Sequence, residues 1–282
     1  MASYPKTDEQ MAQFWNEMGV VWVEQQERLD EILRPFADAA LAAARPRPGE
    51  RVLDIGCGCG DTTFTLADMV GPTGEVTGLD VSEPMLAHAR ARALKNGSNA
   101  RFVHADAGSA EFPKDGYDLL FSRFGVMFFE APERSFQHLR TALKPSGRLA
   151  FACWRQLSEN PWMQLTTGAI APFLPSAPRP DPDAPGPFAF GSRERVSRIL
   201  TSAGFRDVEF APFDHMMDMG PDADSAVREF TYRGAVAVQL SDMTESVRAE
   251  AIEAIRKVMA AHLTPQGVRM PSATWIVTAK PG

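Results

Sequence analysis

Cysteine is scarce in this chain of 282 residues, which contains only Cys57, Cys59 and Cys153. A pair separated by one residue and a distant third thiol give neither an even disulfide framework nor the usual spacing of a zinc site. Free cysteine is among the most buried residue types. We therefore expect small buried thiols and no bound metal.

Basic residues are also few, since 29 Lys and Arg stand against 36 Asp and Glu, for a net charge of -7. The chain has no basic run, so we expect no nucleic-acid partner. No stretch approaches the roughly 20 apolar residues of a membrane span, and the first residues are polar and acidic. These features predict a cytoplasmic protein without a membrane span, and they leave the oligomeric state, including a homodimer, open.

Apolar residues are plentiful, at 44% of the chain, and their pattern changes along its length. Over residues 9 to 44 they recur at three- and four-residue steps, the period of an amphipathic helix. Pro46, Pro48 and Gly49 then interrupt this pattern. We expect an N-terminal helical segment at 1–48, followed by one domain at 49–282.

Strand-like apolar runs alternate with helical segments from Arg51 onward. The predicted strands are residues 52–55, 76–80, 101–105, 117–122, 147–154, 208–213 and 274–279. Continuous apolar strands between helices predict an α/β fold with a parallel sheet covered on both faces.

Two insertions are expected in this domain, at about 155–190 and 222–270. The first contains seven prolines between residues 172 and 187, which predict an irregular excursion over the surface. The second is predicted to form two helices between residues 222 and 263, and Ser192 is predicted to cap a helix that ends near Ala203.

A glycine-rich loop, Asp54-Ile55-Gly56-Cys57-Gly58-Cys59-Gly60, follows the first predicted strand. Its glycines let the backbone turn sharply and approach a ligand closely. The second strand ends at Asp80, whose carboxylate would lie beside the loop and accept hydrogen bonds from two ribose hydroxyls. An NAD-dependent oxidoreductase is the less favoured alternative, because its G-x-G-x-x-G pattern places the third glycine one position after Gly60.

The loop resembles motif I of the class I S-adenosylmethionine-dependent methyltransferases, and the resemblance extends over about residues 49 to 154. Cys59 stands where Thr or Ser is common in that family. The resemblance implies a Rossmann-like, doubly wound fold with a seven-stranded, mostly parallel sheet, and S-adenosylmethionine as the cofactor. Among family members, the chain looks most similar to small-molecule enzymes such as the ubiquinone and menaquinone methyltransferases.

The same resemblance assigns candidate cofactor contacts to the loops that follow four strands. Each acid taken alone could instead be a strand-end acid or a helix N-cap, but their agreement favours the cofactor. The candidates are Asp54, Gly56, Cys57, Gly58, Asp80, Val81, Met85, Asp106, Ala107, Ser122 and Arg123.

The methyl acceptor is expected to be a small, partly hydrophobic or aromatic molecule, because the segments outside the framework are rich in apolar and aromatic residues. None of the five histidines lies in a motif that marks a base, so the catalytic residues stay unassigned. The candidates for the acceptor pocket are Trp22, Phe124, Met127, Phe128, Trp154, Asn160 and Trp162.

Three alternatives stay open at this point. Residues 126–129 fit core packing as well as pocket lining. The N-terminal helix, with Trp15 and Trp22, fits a lid over the cofactor as well as simple packing on the domain. A protein that binds the cofactor as a sensor, without catalysis, is the alternative from another functional class.

Overall fold

A single sheet forms the centre of the computed structural model, which describes residues 4–175, 181–232 and 234–282. The strands lie in the order β3-β2-β1-β4-β5-β8-β6, and the short β7 pairs with β8. In chain order they are β1 (Arg51–Ile55), β2 (Glu75–Asp80), β3 (Arg101–His104), β4 (Tyr117–Arg123), β5 (Leu143–Trp154), β6 (Phe205–Gly220), β7 (Leu263–Thr264) and β8 (Gly267–Pro281).

The neighbours among β1 to β5 pair in parallel, as their apolar runs predict, whereas β8 runs antiparallel to both β5 and β6. The predicted seven-stranded, mostly parallel sheet is therefore confirmed, with the two-residue β7 as an addition. β6 and β8 are longer than predicted. They extend each other as an antiparallel pair from Phe205 opposite Pro281 to Gly220 opposite Val268.

Helices surround the sheet and lie between its strands. They are α1 (Asp8–Glu24), α2 (Gln26–Ala44), α3 (Asp61–Val70), α4 (Glu83–Asn96), α5 (Pro132–Ala142), α6 (Pro161–Ile170), α7 (Arg193–Ser202), α8 (Ala223–Thr231), α9 (Gly234–Ser241) and α10 (Glu245–Ala261). The predicted cap of α7 is confirmed, since the Ser192 side chain accepts a hydrogen bond from the Arg195 N–H.

Both faces of the sheet are buried, in two clusters of apolar side chains. On β4, Leu120 belongs to one cluster and its neighbours Leu119 and Phe121 to the other, because successive side chains point to opposite faces. Phe136 of α5 packs in the first cluster and Leu66 of α3 in the second. The doubly wound arrangement is thus confirmed.

The helix expected over residues 9 to 44 is two helices. Gln25, with φ -108° and ψ 14°, interrupts the helical backbone between α1 and α2. Because of this break, α1 packs against α4 while α2 packs against β5. Likewise, the described residues between 222 and 263 form three helices rather than the two expected.

Residues 176–180 of the proline-rich excursion, which include Pro178 and Pro180, lie outside the described part of the chain. Before them, α6 continues into a short 3-10 helix at Ala171–Phe173. In the described ranges no helix combines the length and apolar character needed to cross a bilayer. The same ranges contain no group of three His, Cys, Asp or Glu side chains suited to a metal ion.

Candidate active site

A cavity of about 1060 Å³ opens at the carboxyl ends of β1, β2, β4 and β5. This is the edge at which doubly wound α/β folds bind their ligands. The glycine loop and the ends of β2 and β4 form one side of the cavity. Side chains from α1, α2, the described end of the proline-rich excursion and α8 form the other.

The loops after β1 and β4 touch backbone to backbone beneath this cavity. Gly56 has φ +70°, and a Cβ on it would lie 2.8 Å from Gly125 Cα. A Cβ on Gly125 would in turn lie 2.7 Å from the carbonyl oxygen of Ile55. Only glycine fits both positions without movement, so the two loops fix each other's place.

Asp80 at the end of β2 holds the glycine loop with its carboxylate. Oδ2 accepts a hydrogen bond from the Gly58 N–H at 2.8 Å, and Oδ1 accepts one from the Ser82 N–H at 2.9 Å. Burial raises the pKa of this carboxyl, while the two backbone donors oppose that rise. Asp80 lines the cavity, so it stands where a ribose-binding acid would be needed.

Asp54 and Ser122, two of the candidate contacts, lie beneath the loop and do not line the cavity. Asp54 is fully buried and accepts hydrogen bonds from the hydroxyls of Thr62 and Thr63, each at 2.7 Å. Burial raises its pKa to about 6, against the opposing effect of these two bonds. Ser122 donates to the Ile55 carbonyl oxygen at 2.8 Å. Both side chains therefore support the loop from behind.

The remaining candidate cofactor contacts all line the cavity. Asp106 accepts hydrogen bonds from the Gly108 N–H at 2.9 Å and the Ser109 hydroxyl at 2.8 Å. Arg123 donates to Asp61 at 2.8 Å. The other candidates that line it are Gly56, Cys57, Gly58, Asp80, Val81, Met85 and Ala107.

Aromatic rings line the cavity at the ends of β4 and β5. Phe124 stacks on Trp154 with centroids 4.2 Å apart and planes 9° apart, and Trp162 packs against Trp154 at 5.1 Å. Phe124 has φ +63°, a left-handed conformation that a bulky residue seldom adopts. Such strain recurs at functional sites. Trp22, Met127 and Phe128, three further candidates for the acceptor pocket, also line the cavity.

Asn160, the remaining pocket candidate, lies outside this aromatic wall. Its buried amide donates to the carbonyl oxygens of Arg155, Gln156 and Ala273, and its Oδ1 accepts from the Ala273 N–H at 2.9 Å. The side chain thus joins the start of α6 to β8. Residues 126–129 divide between the two open alternatives, since Val126 is in the core whereas the next three residues line the cavity.

Helix α1 rests on the start of α4. Gly19 of α1 is buried against Ser82, whose Oγ a Cβ on Gly19 would overlap, and Asn16 accepts a hydrogen bond from the Glu83 N–H at 2.9 Å. The Asp8 N–H donates to Glu130 at 2.9 Å. The helix therefore has a packing role, and that it also closes over the cofactor stays a prediction.

Several lining residues carry no sequence motif, among them Tyr4, Phe14 and Asp30. Tyr4 and Phe14 pack edge to face at 5.3 Å. Asp30 does leave a signal, because an acid between Leu29 and Leu33 interrupts the apolar stripe of α2. That signal marks a buried carboxylate but does not say what it faces.

The three cysteines are buried free thiols, as their spacing predicts. Burial raises the pKa of Cys59, which lines the cavity, to about 12, so its thiol stays protonated at neutral pH. All five histidines lie in the described part of the chain, and none of them lines the cavity.

Comparison with known proteins identifies the family. A family model described as a methyltransferase domain matches residues 52–147. The nocamycin O-methyltransferase of Saccharothrix syringae is 32% identical over 188 residues, which cover 63% of this chain and 67% of that relative. The chain belongs to the class I S-adenosylmethionine-dependent methyltransferases. Its cofactor is accordingly S-adenosylmethionine.

Two further comparisons show how much of the chain is similar to a relative in sequence and how much is similar in fold. The ubiquinone/menaquinone biosynthesis C-methyltransferase UbiE of Ectopseudomonas mendocina is 43% identical over 105 residues, which span 36% of this chain and only 41% of that relative. The solved structure of YcgJ from Bacillus subtilis matches with a TM-score of 0.58 at 16% identity, over 89% of this chain and 98% of that one. The latter likeness shows the fold alone.

The residues of this methyltransferase fit an adenosyl group. Asp80 faces the cavity at the end of β2 with both oxygens already oriented by backbone N–H groups. Gly58 has φ +53°, a left-handed conformation that favours glycine, and it lies close to Met85 of α4, since a Cβ there would be 3.7 Å from Met85 Sδ.

Proposed function

We propose that this methyltransferase transfers the methyl group of S-adenosylmethionine to a small, partly hydrophobic molecule with an aromatic ring. The cavity carries this proposal. Its volume of about 1060 Å³ lies at the upper end of the roughly 300 to 1,000 Å³ that ligand pockets span, which leaves room for an acceptor beside the cofactor. Aromatic rings at the ends of β4 and β5 line this space, and they suit a flat acceptor.

In the proposed reaction the chain mainly positions its ligands. Bound S-adenosylmethionine supplies a methyl group that is already activated on a sulfonium. Asp80 and the loop amides hold the adenosyl end, while Phe124 and Trp154 hold the acceptor and exclude water from the space between. Holding two reactants in line is worth several powers of ten in rate.

The acceptor we propose is a phenol or quinol that reacts at oxygen or at ring carbon. No histidine lines the cavity within the described ranges, so the proton that a phenol or quinol loses on methylation would pass to a carboxylate that does line it, such as Asp8, or to water. The names of the relatives support this class, because they include a C-methyltransferase of ubiquinone and menaquinone biosynthesis and an O-methyltransferase.

The test is the release of S-adenosylhomocysteine from S-adenosylmethionine with a panel of quinols, phenols, amines and thiols. We expect release with quinols or phenols at rates well above those of amines and thiols. Binding of S-adenosylhomocysteine without turnover on any member, or on a small-molecule cell extract, would instead establish the sensor alternative. Methylation confined to nucleic acid or protein would contradict a small acceptor.

A further inference from the structure

A buried carboxylate, Asp30 of α2, lines the cavity beside the glycine loop, and no family motif accounts for it. Only 8% of the residue is exposed, and Leu29 and Ile32 beside it are buried apolar residues. A charge in such a position is costly unless it is paired and hydrogen-bonded. The hydrogen-bond partners of Asp30 therefore show which kind of ligand group its carboxylate could still bind.

One oxygen of Asp30 is fully used. Oδ2 accepts hydrogen bonds from Gln26 and, at 2.9 Å, from the guanidinium of Arg92. Arg92 also donates to the carbonyl oxygen of Cys59 at 2.7 Å. Arg92 thus fixes Asp30 against the glycine loop. The second oxygen, Oδ1, has no hydrogen-bond partner in the part of the chain that the structure describes.

A cation lines the same region of the cavity. Arg123 follows the end of β4, its side chain is 11% exposed, and it donates to Asp61 at 2.8 Å. Asp61 also accepts from Arg34 at 3.0 Å, so two arginines share one carboxylate. Arg123 therefore keeps donor capacity for a ligand, because a guanidinium carries five N–H groups.

The cavity thus offers one unsatisfied carboxylate oxygen and one guanidinium next to the glycine loop. An amino-acid end needs this pair of opposite charges, since it carries an ammonium and a carboxylate. Asp80 and Asp106 lie at the ends of β2 and β3, the far side from Arg123, where the ribose and adenine are expected. The methionine portion of the cofactor is the part that would reach Asp30.

We propose that Asp30 Oδ1 accepts a hydrogen bond from the α-amino group of the cofactor's methionine portion, with Arg123 facing its carboxylate. The proposal rests on the cofactor of the proposed function, but it assigns a contact to a residue outside the family's motifs. A charge-assisted hydrogen bond of this kind changes affinity by about 10- to 100-fold.

The decisive variant is Asp30→Asn, whose side-chain oxygen can still accept from Arg92. Calorimetry compares three ligands: S-adenosylhomocysteine, its analogue without the α-amino group, and 5′-methylthioadenosine, which lacks the whole amino-acid end. We expect the variant to bind S-adenosylhomocysteine about 10- to 100-fold more weakly and the other two within about twofold of the parent chain. Asp38→Asn, an exposed acid on the same helix, is the matched control and should change none of the three.

Equal losses for all three ligands would overturn the proposal, because Asp30 would then act only through Arg92 and the shape of the loop. Unchanged binding of S-adenosylhomocysteine would overturn it as well. Should Asp30→Asn fail to fold, the parent chain still decides the question: equal affinity for S-adenosylhomocysteine and its desamino analogue contradicts the contact. If the parent chain binds none of the three ligands, the cofactor itself is contradicted, which is a distinguishable failure.

Discussion

The two sides of the cavity are held together by different kinds of contact. On the cofactor side, which holds the glycine loop and Asp80, hydrogen bonds to backbone groups fix the chain, such as that from the Gly58 N–H to Asp80 at 2.8 Å. On the acceptor side, ring edges join distant segments, such as Trp15 of α1 and Phe128 after β4, whose centroids are 5.0 Å apart.

This difference indicates which side of the cavity tolerates substitution. A backbone hydrogen bond is strict in distance and angle, so loss of its acceptor leaves a buried donor without a partner. Contacts between apolar rings depend on volume more than on direction, and cores of similar volume tolerate exchange. We therefore expect the cofactor side to fail sharply on substitution and the acceptor side to change gradually.

Replacing Asp80 with Ala should give the largest effect. The change leaves the Gly58 and Ser82 N–H groups without their acceptor and removes the proposed ribose contact. Since a hydrogen bond to a charged group is worth about 1.5 to 3 kcal/mol, we expect at least about 100-fold weaker binding of S-adenosylhomocysteine by calorimetry.

The control for this variant is Glu75→Ala, which removes an exposed acid from the opposite end of the same strand. Its affinity for S-adenosylhomocysteine should match that of the parent chain. If Asp80→Ala also bound S-adenosylhomocysteine as tightly as the parent chain does, this carboxylate would not hold the cofactor.

Gly125→Ala should have the next largest effect, on stability. The new Cβ would lie 2.7 Å from the Ile55 carbonyl oxygen and 3.0 Å from Gly56 Cα, both of them backbone atoms that cannot move independently. Overpacking of this kind costs about 1 to 3 kcal/mol, to be measured as the free energy of unfolding in urea. The control, Gly168→Ala in α6, has nothing within 4 Å of its Cβ and should not be destabilised.

An unfolding free energy of Gly125→Ala equal to that of the parent chain would mean that the loops after β1 and β4 separate easily. The cofactor side would then be as adaptable as the aromatic wall.

The cofactor side could be predicted from the sequence because its signals are local. Glycine spacing after a short apolar strand and an acid at the end of the next strand place the loop and Asp80 together. The parallel sheet follows from the same alternation of strands and helices. The break at Gln25 was not predicted, because the apolar stripe of residues 9 to 44 continues across it.

The acceptor side could not be predicted because contacts remote in sequence decide it. Asn160 stands near pocket residues in the chain, yet its amide bonds to Ala273, 113 residues away, and faces the interior. Asp30 is visible as an acid on an apolar stripe, but only its contact with Arg92, which also binds the glycine loop, shows that it lies beside that loop.

Trp15→Ala should give the smallest effect on cofactor binding and thereby test the adaptable side. The variant loses ring contacts with Phe14, Trp22 and Phe128, none of which bonds to the glycine loop or to Asp80. We expect S-adenosylhomocysteine affinity within about twofold of the parent chain, and a several-fold higher KM for the best quinol or phenol of the panel. Val20→Ala, an exposed change on the same helix, is the control for both measurements. A loss of cofactor affinity equal to the rise in KM would show that α1 contacts both ligands. That result would favour the lid, because a helix that only lines the acceptor pocket would leave the cofactor affinity unchanged.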